Sequence, residues 1–256
     1  MAFPSVIYGP ASEAYNDYAA VTAPGDNGAG GPIAYRHVQP LGKQLVTADG
    51  RKFRFAASGG GTLVVGNVLT AGVATASSQD LTAAAGSVGD RFATMTTAAS
   101  TLVNVFAEGF INSSVAPGAH ECYQIASHAT FTSGAGDIVN LAPGNSLRVA
   151  PTTATRFDLT DNIHSRVIQS PATTVASAPV GVAVVAATTL RGCWVQTRGV
   201  AGVLNSGTSI AGDVVGTGLG GAGAAGPIAA LATQPIVGWC MFSDATSITV
   251  FLTLDG

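Results

Sequence analysis

Short apolar runs separated by Gly, Asp, Asn, Ser or Pro make up most of the chain from residue 41 onward. Runs of β-branched and aromatic residues with period-two alternation are typical of strands, and small polar residues between them are typical of tight turns. The pattern predicts strands at residues 44–47, 52–56, 67–70, 91–96, 122–127, 137–141, 146–149, 182–186, 193–198, 212–215, 236–242 and 248–254. In the last run, Ile, Val and Leu alternate with Thr, Phe and Thr.

The strongest local signal is Asp49-Gly50, which lies between two of these runs. Asp-Gly favours a turn whose twist matches two antiparallel strands, so we expect a hairpin there. Helical signals are weak, because the Ala-rich pieces at 81–85 and 228–232 are too short for independent helices. The chain is therefore predicted to be all-β, with a β-barrel or β-sandwich body of short antiparallel strands, an extended N-terminal arm and little helix.

Three parts of the chain share one order of features: a strand, a turn-rich stretch, and a Gly-Asp or Gly-Asn pair that enters a second strand. The pairs are Gly66-Asn67, Gly136-Asp137 and Gly212-Asp213. Their spacings differ, but such repeated two-strand units indicate a meander or a barrel.

Residues 1–40 are rich in Gly, Pro and Ala and show no sustained helix or strand period. They predict an extended arm, which would gain stability by burying its aromatic rings on a partner. The candidate residues for contact with a neighbouring copy or with another protein are Phe3, Tyr8, Tyr15, Tyr18 and Tyr35. The β-rich body, residues 41–256, is long enough for one domain or two β subdomains, with a boundary near 115 or 170.

Charged residues are only 10% of the chain, and hydrophobic residues are 47%; an average soluble domain has about 25% charged residues. This composition favours a surface covered partly by Ser, Thr and Gly and partly by other subunits. The net charge of -3 and the scattered basic residues offer no stripe for phosphates, so we expect no nucleic-acid partner. No run approaches about 18 apolar residues, so no membrane partner is expected.

The three cysteines, Cys122, Cys193 and Cys240, each lie in an apolar or aromatic run. An odd number cannot all pair within one chain, which favours buried thiols in a protein made in a reducing compartment. The first residues lack a basic region followed by an apolar region, so a secretory signal is not expected.

The best candidate for metal binding is the set His120, Cys122 and His128, with Glu121 nearby. The three share parity and could face one side of a strand. A closed zinc site needs four ligands, however, and the usual paired Cys or His spacing is missing. We therefore expect core or turn residues here, and no bound metal.

Two further sequence patterns resemble ligand-binding sites, but loops explain them better. Gly218, Gly220 and Gly223 match the glycine spacing of a dinucleotide site, with Asp244 about twenty residues on. Pro227 interrupts the helix that such a site requires, and no alternating strand and helix pattern surrounds it. A second set, Asp158, Asp161 and Asn162, could act as a carboxylate pair or bind calcium, but Asp and Asn in loops more often form local turns.

The common hydrolase and nucleotidase signatures are absent from the sequence. It contains no Gly-x-Ser-x-Gly elbow, no glycine loop ending in Lys-Ser or Lys-Thr, and no His-Glu-x-x-His. We therefore predict no catalytic residues, no cofactor and no enzymatic activity.

Several segments together resemble bacteriophage capsid decoration (cement) proteins, a family of head structural proteins. The segments are VTADGRKFRF at 46–55, FAEGFIN at 106–112, CYQIASH at 122–128, GCWVQTRG at 192–199 and VFLTLD at 250–255. The resemblance spans residues 40–256, and none of the segments is a catalytic signature.

This resemblance implies a β-rich subunit, a homotrimer, seated on the outer surface of the phage capsid and made in the cytoplasm of the host bacterium. Its partners would be the major capsid protein and copies of itself. The expected function is to stabilise the shell through many small contacts, with the arm lying over capsid or neighbouring decoration subunits and the body forming the trimer.

Two alternatives remain open at this point. Gly/Ser/Thr-rich β proteins also form phage tail or baseplate parts and receptor-binding modules. A hydrolase of cell-wall or capsular polysaccharide would need two carboxylates facing a cleft, and the sequence alone cannot pair its 14 acidic residues.

Overall fold

The chain forms two compact units. A computed structural model describes residues 6–18, 21–22, 35–36, 39–59, 61–72, 76–173, 177–189, 191–217, 220–228 and 234–255. The sheet unit comprises residues 1–20, 37–73 and 163–256, and the barrel unit comprises residues 21–36 and 74–162. Within the body, the chain passes from the sheet unit to the barrel unit after residue 73 and returns to the sheet unit after residue 162.

Within the described residues, twenty strands form nearly all of the regular structure and there is no α-helix. The sheet unit contains β1 (Val6–Tyr8), β2 (Asp17–Tyr18), β5 (Gln44–Val46), β6 (Lys52–Ala57), β7 (Val68–Thr70), β14 (Ile168–Gln169), β15 (Pro179–Ala183), β16 (Gly192–Leu204), β17 (Val214–Thr217), β18 (Ala225–Pro227), β19 (Ile236–Ser243) and β20 (Ser247–Thr253). The barrel unit contains β3 (Val21–Thr22), β4 (Tyr35–Arg36), β8 (Leu81–Ala83), β9 (Phe92–Thr96), β10 (Phe110–Val115), β11 (Cys122–His128), β12 (Gly136–Leu141) and β13 (Arg156–Thr160). Two short 3-10 helices lie at Ala11–Tyr15 and Ala76–Ser78.

The all-β prediction is confirmed, and most of the predicted strands are present. The run at 146–149 is an exception, because it is a loop whose Leu147 is buried in the barrel core. The Ala-rich piece at 81–85, considered above for a helix, contributes strand β8. The apolar pattern at 146–149 therefore marked the burial of Leu147 but neither the exposure of Val149 nor the backbone conformation.

The sheet unit is an open sheet with one long central strand. Its main order is β1-β5-β6-β16-β20-β19-β17-β18, and β2, β7, β14 and β15 attach at β16 and β7. β16 pairs with β6 from Gly192 to Arg198 and with β20 from Arg198 to Leu204. The predicted Asp49-Gly50 hairpin joins β5 to β6, with Gly50 at a φ of 81°.

Three hydrophobic clusters form the cores of the sheet unit. In one of them Phe55 meets Trp194 edge to face, with 5.3 Å between ring centroids, and both residues are fully buried. Tyr18 packs on the same Phe55 ring at 5.6 Å. β2 is thereby joined to the core by side-chain packing as well as by its pairing with β16.

The barrel unit closes six antiparallel strands in the order β8-β9-β12-β11-β10-β13. Closure gives each strand two neighbours and leaves no free edge in the barrel. A single cluster fills the interior, and its largest fully buried side chains include Phe131, Phe157, Met95 and Ile111.

Two of the three predicted Gly-Asp or Gly-Asn turns have the same backbone structure. In turns 64–67 and 210–213 the last amide donates to the first carbonyl at 3.1 Å. Gly66 and Gly212 have φ of 81° and 97°, and each glycine amide donates at 2.8 Å to the strand opposite. A positive φ favours glycine, which explains the residue at this position.

The third predicted pair differs from these two. Gly136 already belongs to β12, and the positive φ falls on Gly134 instead. The barrel unit contains the shared turn elsewhere, at 87–90, where Gly89 has a φ of 95° and donates to Leu147 at 2.8 Å.

Candidate functional site

One face of the sheet unit exposes a group of large apolar side chains, which we call the outer face. It consists of Val200 and Leu204 of β16, Phe251 of β20, and Trp239, Met241 and Phe242 of β19. The strand registers place Val200 beside Phe251 and Phe251 beside Trp239, so these three form a row across three strands. The exposed fraction ranges from 39% for Phe251 to 65% for Phe242.

Local sequence explains why these side chains point outward. Along β20, Ile248, Val250 and Leu252 are buried, and the alternate positions, including Phe251, face solvent. In β19 a register shift between Cys240 and Phe242 interrupts the alternation, so two consecutive side chains are exposed. The outer face therefore follows from one regular strand and one bulged strand.

The outward positions between these apolar residues are neutral. They are occupied by Gly202 of β16 and by Ser247 and Thr249 of β20. No ionisable side chain therefore interrupts the outer face along β16 and β20 between its two ends.

A surface cleft of 310 Å³ adjoins one end of the outer face. Besides Val200 and Phe251 it is lined by Asp49, Gly50, Arg51, Arg198 and Gly199. Arg51 Nε lies 2.7 Å from Asp49 Oδ2, and hydrogen bonds from Thr47 and Arg51 lower the pKa of Asp49 to about 2. Lys52 is the register partner of Arg198, so cations outnumber anions at this end.

The opposite end of the outer face carries an acidic side chain. Asp244, in the turn between β19 and β20, accepts the amides of Thr246 and Ser247 at 2.8 Å. These hydrogen bonds lower the pKa of Asp244 to about 2. Because Leu204 pairs with Ser247 while Arg198 pairs with Thr253, the acidic and basic ends are separated by the length of β20, roughly 20 Å.

A second polar cluster lies within the sheet unit and has a structural role. Arg54 contacts both carboxylate oxygens of Asp255, at 2.9 and 2.8 Å, and Gln44 donates to the same carboxylate at 2.9 Å. Burial alone would raise the pKa of Asp255, but the hydrogen bonds from Arg54 and Gln44 lower it. Since the carboxylate is held by residues of β5 and β6, the cluster fixes the end of the chain to that hairpin.

His164 lies beside this pair. Its ring packs over Gly42, where an added Cβ would be 2.9 Å from His164 Cδ2. Burial lowers the pKa of His164 to about 4, and the positive charge of Arg54 acts in the same direction, while Asp255 opposes both. His164 is therefore neutral at pH 7.

The aromatic residues that the sequence predicts to contact a partner differ in their exposure. Tyr8, on β1, is 84% exposed, and Tyr15, in the first 3-10 helix, is 50% exposed. Tyr18 instead packs on Phe55 in the sheet unit's own core. Phe3 lies outside the described residues, and of Tyr35 only the backbone, in β4, is described.

The prediction that His120, Cys122 and His128 face one side of a strand is wrong. A register shift between Ile125 and Ser127 reverses the alternation, so Cys122 is exposed while His128 is buried. His128 Nε2 accepts the amide of a loop residue at 3.0 Å, and its ring lies 4.2 Å from that of Phe131. Among the described residues no group of three or more His, Cys, Asp or Glu is arranged to hold a metal ion.

The expectation of three buried thiols is wrong for one cysteine. Cys193 and Cys240 are buried in the sheet unit, but Cys122 is exposed, because it takes an outward position on the barrel strand β11. All three are free thiols, and burial raises the pKa of Cys240.

The other two ligand patterns have structural explanations. Gly223 is required by packing, since an added Cβ would lie 2.5 Å from the Asn67 side chain, and Gly218 lies outside the described residues. Asp158 accepts the amide of Asp80 at 2.8 Å, and Asn162 donates to the carbonyl of Glu108 at 3.1 Å. These contacts fix loops of the barrel unit.

Comparisons with protein-family models, with curated proteins and with solved structures find no match to this chain. Among the described residues there is no helix with the length and hydropathy of a transmembrane span. The function therefore has to be inferred from the residues and geometry of the chain itself.

Sequence reasoning did not identify the outer face. One signal was present, because Phe251 shares the polar side of its strand with Thr249 and Thr253. An aromatic residue on the solvent side of an alternating strand is a candidate for contact with another molecule. The exposure of Met241 and Phe242 depends on a bulge that the sequence does not mark.

Proposed function

We propose that this chain is a virion structural protein, a capsid decoration subunit that binds the outer surface of a phage head and stabilises the shell. Its partners would be the major capsid protein and other copies of the chain, and it would catalyse no reaction. The segments that resemble decoration proteins support this role, and so does the 10% charged content, which suits a surface covered by other subunits.

The observation that carries the proposal is the pair of exposed tyrosines on an ordered backbone. β1 pairs with β5, and the amide of Gly9 donates to the carbonyl of Val46 at 3.2 Å, which fixes the strand bearing Tyr8. Ala14 is fully buried and anchors the 3-10 helix that ends at Tyr15. Aromatic rings presented in this way provide contact area at a low entropic cost.

Repetition of the same weak contact over many copies of the chain would give a stable layer of protein on the shell. An oligomer that places several copies of the same tyrosines on a symmetric shell binds with an effective concentration set by its own geometry. Occupancy then exceeds what one contact could give, and the shell gains stability from every copy bound.

The experiment uses phage heads that lack this protein, mixed with the purified full-length chain and separated by sedimentation. We expect the wild-type chain to cosediment with the heads and the double variant Tyr8→Ala/Tyr15→Ala to lose at least tenfold in affinity. The matched control is Phe110→Ala, an exposed aromatic of the barrel unit, which should bind as the wild type does. Equal binding by both variants would remove the tyrosines from the mechanism.

Immunogold labelling of purified particles separates this function from the tail and receptor-binding alternatives. Label distributed over the head supports a decoration subunit. Label confined to the tail, or a particle free of the protein, would overturn the proposal.

A further inference from the structure

The outer face is an apolar surface with opposite charges at its two ends. From this arrangement we infer that a second copy of the chain covers it, with the two outer faces packed together about a two-fold axis. The inference deepens the proposed function, on which it rests for its biological setting, and it replaces the trimer that the resemblance implies with a two-fold pair. It names the occupant of one surface and leaves the capsid contact to the N-terminal tyrosines.

The size of the apolar area fits a stable pair. The three aromatic side chains have roughly 150–250 Å² each and the other three have less, and about half of this area is exposed, so the face presents on the order of 500 Å² of apolar surface. This lies in the upper part of the range for the largest patch on a typical monomer, about 300–600 Å². At the roughly 65% apolar content of homodimer interfaces, burial of all of it corresponds to about 770 Å² per partner, close to the standard of about 800 Å².

The neutral centre of the face favours a copy of itself as the partner. Gly202, Ser247 and Thr249 separate the apolar side chains, so two copies could meet without like charges opposing each other. Backbone groups of β16, β20 and β19 are already paired within the sheet. The face therefore offers side-chain packing, as between two stacked sheets.

The charged ends determine the orientation. Arg198 and its register partner Lys52 lie at the cleft end, and Asp244 lies at the other end of β20. A two-fold axis that lies in the plane of the interface, perpendicular to the strands, brings the two outer faces together and reverses the strand direction, so the basic end of each copy would lie over the acidic end of its partner. A parallel arrangement would instead oppose like charges.

The first test is the mass of the full-length chain by light scattering and sedimentation velocity. We expect the wild type to be a dimer and the double variant Trp239→Ser/Phe251→Ser to be a monomer. The matched control is Phe92→Ser/Phe110→Ser, which alters two exposed phenylalanines of the barrel unit and should remain a dimer. Circular dichroism should show the same strand content in all three proteins.

The second test is a charge exchange that only the two-fold arrangement predicts. Arg198→Glu should weaken self-association at least tenfold, because it places a second anion over Asp244 of the partner subunit. Adding Asp244→Lys to that variant should restore association, since the introduced lysine would then lie over the introduced glutamate of the other copy. Asp244→Asn, which keeps acceptors for the turn, should weaken association less than Arg198→Glu.

Fluorescence provides an independent readout. Trp239 is half exposed while Trp194 is fully buried, so dimer formation should shift the emission of Trp239 to shorter wavelength as the concentration rises. The variant Trp239→Phe should lose this concentration dependence.

The outcomes separate this inference from the proposed function. A wild-type trimer, or a monomer at every concentration, would overturn the two-fold pairing even if the chain binds heads. A monomer whose Trp239→Ser/Phe251→Ser variant loses head binding would assign the face to the capsid and also overturn it. A dimer that fails to bind heads would overturn the decoration function and leave the pairing intact.

Discussion

Exposed apolar residues occur on both units, but their cross-strand neighbours differ. On the barrel, Phe110 pairs with Gln124 and Phe92 pairs with Asn140, so each exposed ring has a polar neighbour. On the sheet unit, Phe251 lies between Val200 and Trp239. Isolated apolar side chains are ordinary on a protein surface, whereas a contiguous row indicates a surface that another molecule covers.

The two units also differ in formal net charge. The barrel unit contains four basic and eight acidic residues, and the sheet unit contains seven and six. The corresponding formal charges are -4 and +1. A net charge favours solvation and opposes association of like surfaces, so the barrel unit is suited to face solvent and the sheet unit to face a partner.

The largest expected effect concerns the cores, where the two units should behave alike. Phe55→Ala and Phe157→Ala each remove a buried ring, and each should reduce the free energy of unfolding by about 3–5 kcal/mol. Hydrogen exchange read peptide by peptide should locate the loss in the sheet unit for the first variant and in the barrel unit for the second. At a dilution where the chain is monomeric, the surface variant Phe251→Ala should cost less than about 0.5 kcal/mol; a cost equal to that of Phe55→Ala under that condition would show that the outer face is part of a core.

Acid should destabilise the sheet unit more than the barrel unit. Each unit has a buried histidine with a lowered pKa, but His164 faces Arg54 and Asp255, whereas His128 packs on aromatic rings with Asp137 as the nearby charge. With a pKa of about 4 when folded and 6.5 when unfolded, His164 contributes stability that is complete above pH 6.5. This stability falls by at most about 3 kcal/mol as the pH drops towards 4.

The pH effect is measured by urea unfolding between pH 7 and 4 and by NMR titration of the histidine rings. His164→Gln should flatten the pH dependence of stability for the sheet unit. An imidazole of His164 that titrates near pH 6.5 in the folded chain would contradict the burial and charge effects assigned to it.

The smallest expected effect concerns a turn that both units share. Gly212 and Gly89 have φ of 97° and 95°, and an added Cβ would meet nothing within 4 Å at either site. Gly212→Ala and Gly89→Ala should therefore cost the same, about 1–2 kcal/mol, from backbone conformation alone. Thermal unfolding measures both, and a difference above about 1 kcal/mol would show that surroundings, rather than φ, determine the residue.

Much of this protein follows from its sequence. Period-two alternation predicted β20, Asp49-Gly50 predicted the β5–β6 hairpin, and two Gly-Asp or Gly-Asn pairs predicted one kind of turn, because these features depend on neighbouring residues. The division into an open sheet and a closed barrel was decided by pairing between distant strands, as were the burial of His128, the exposure of Cys122 and the pairing of Arg54 with Asp255. A register shift of one residue reverses which side chains are buried, and only the facing strand fixes that register.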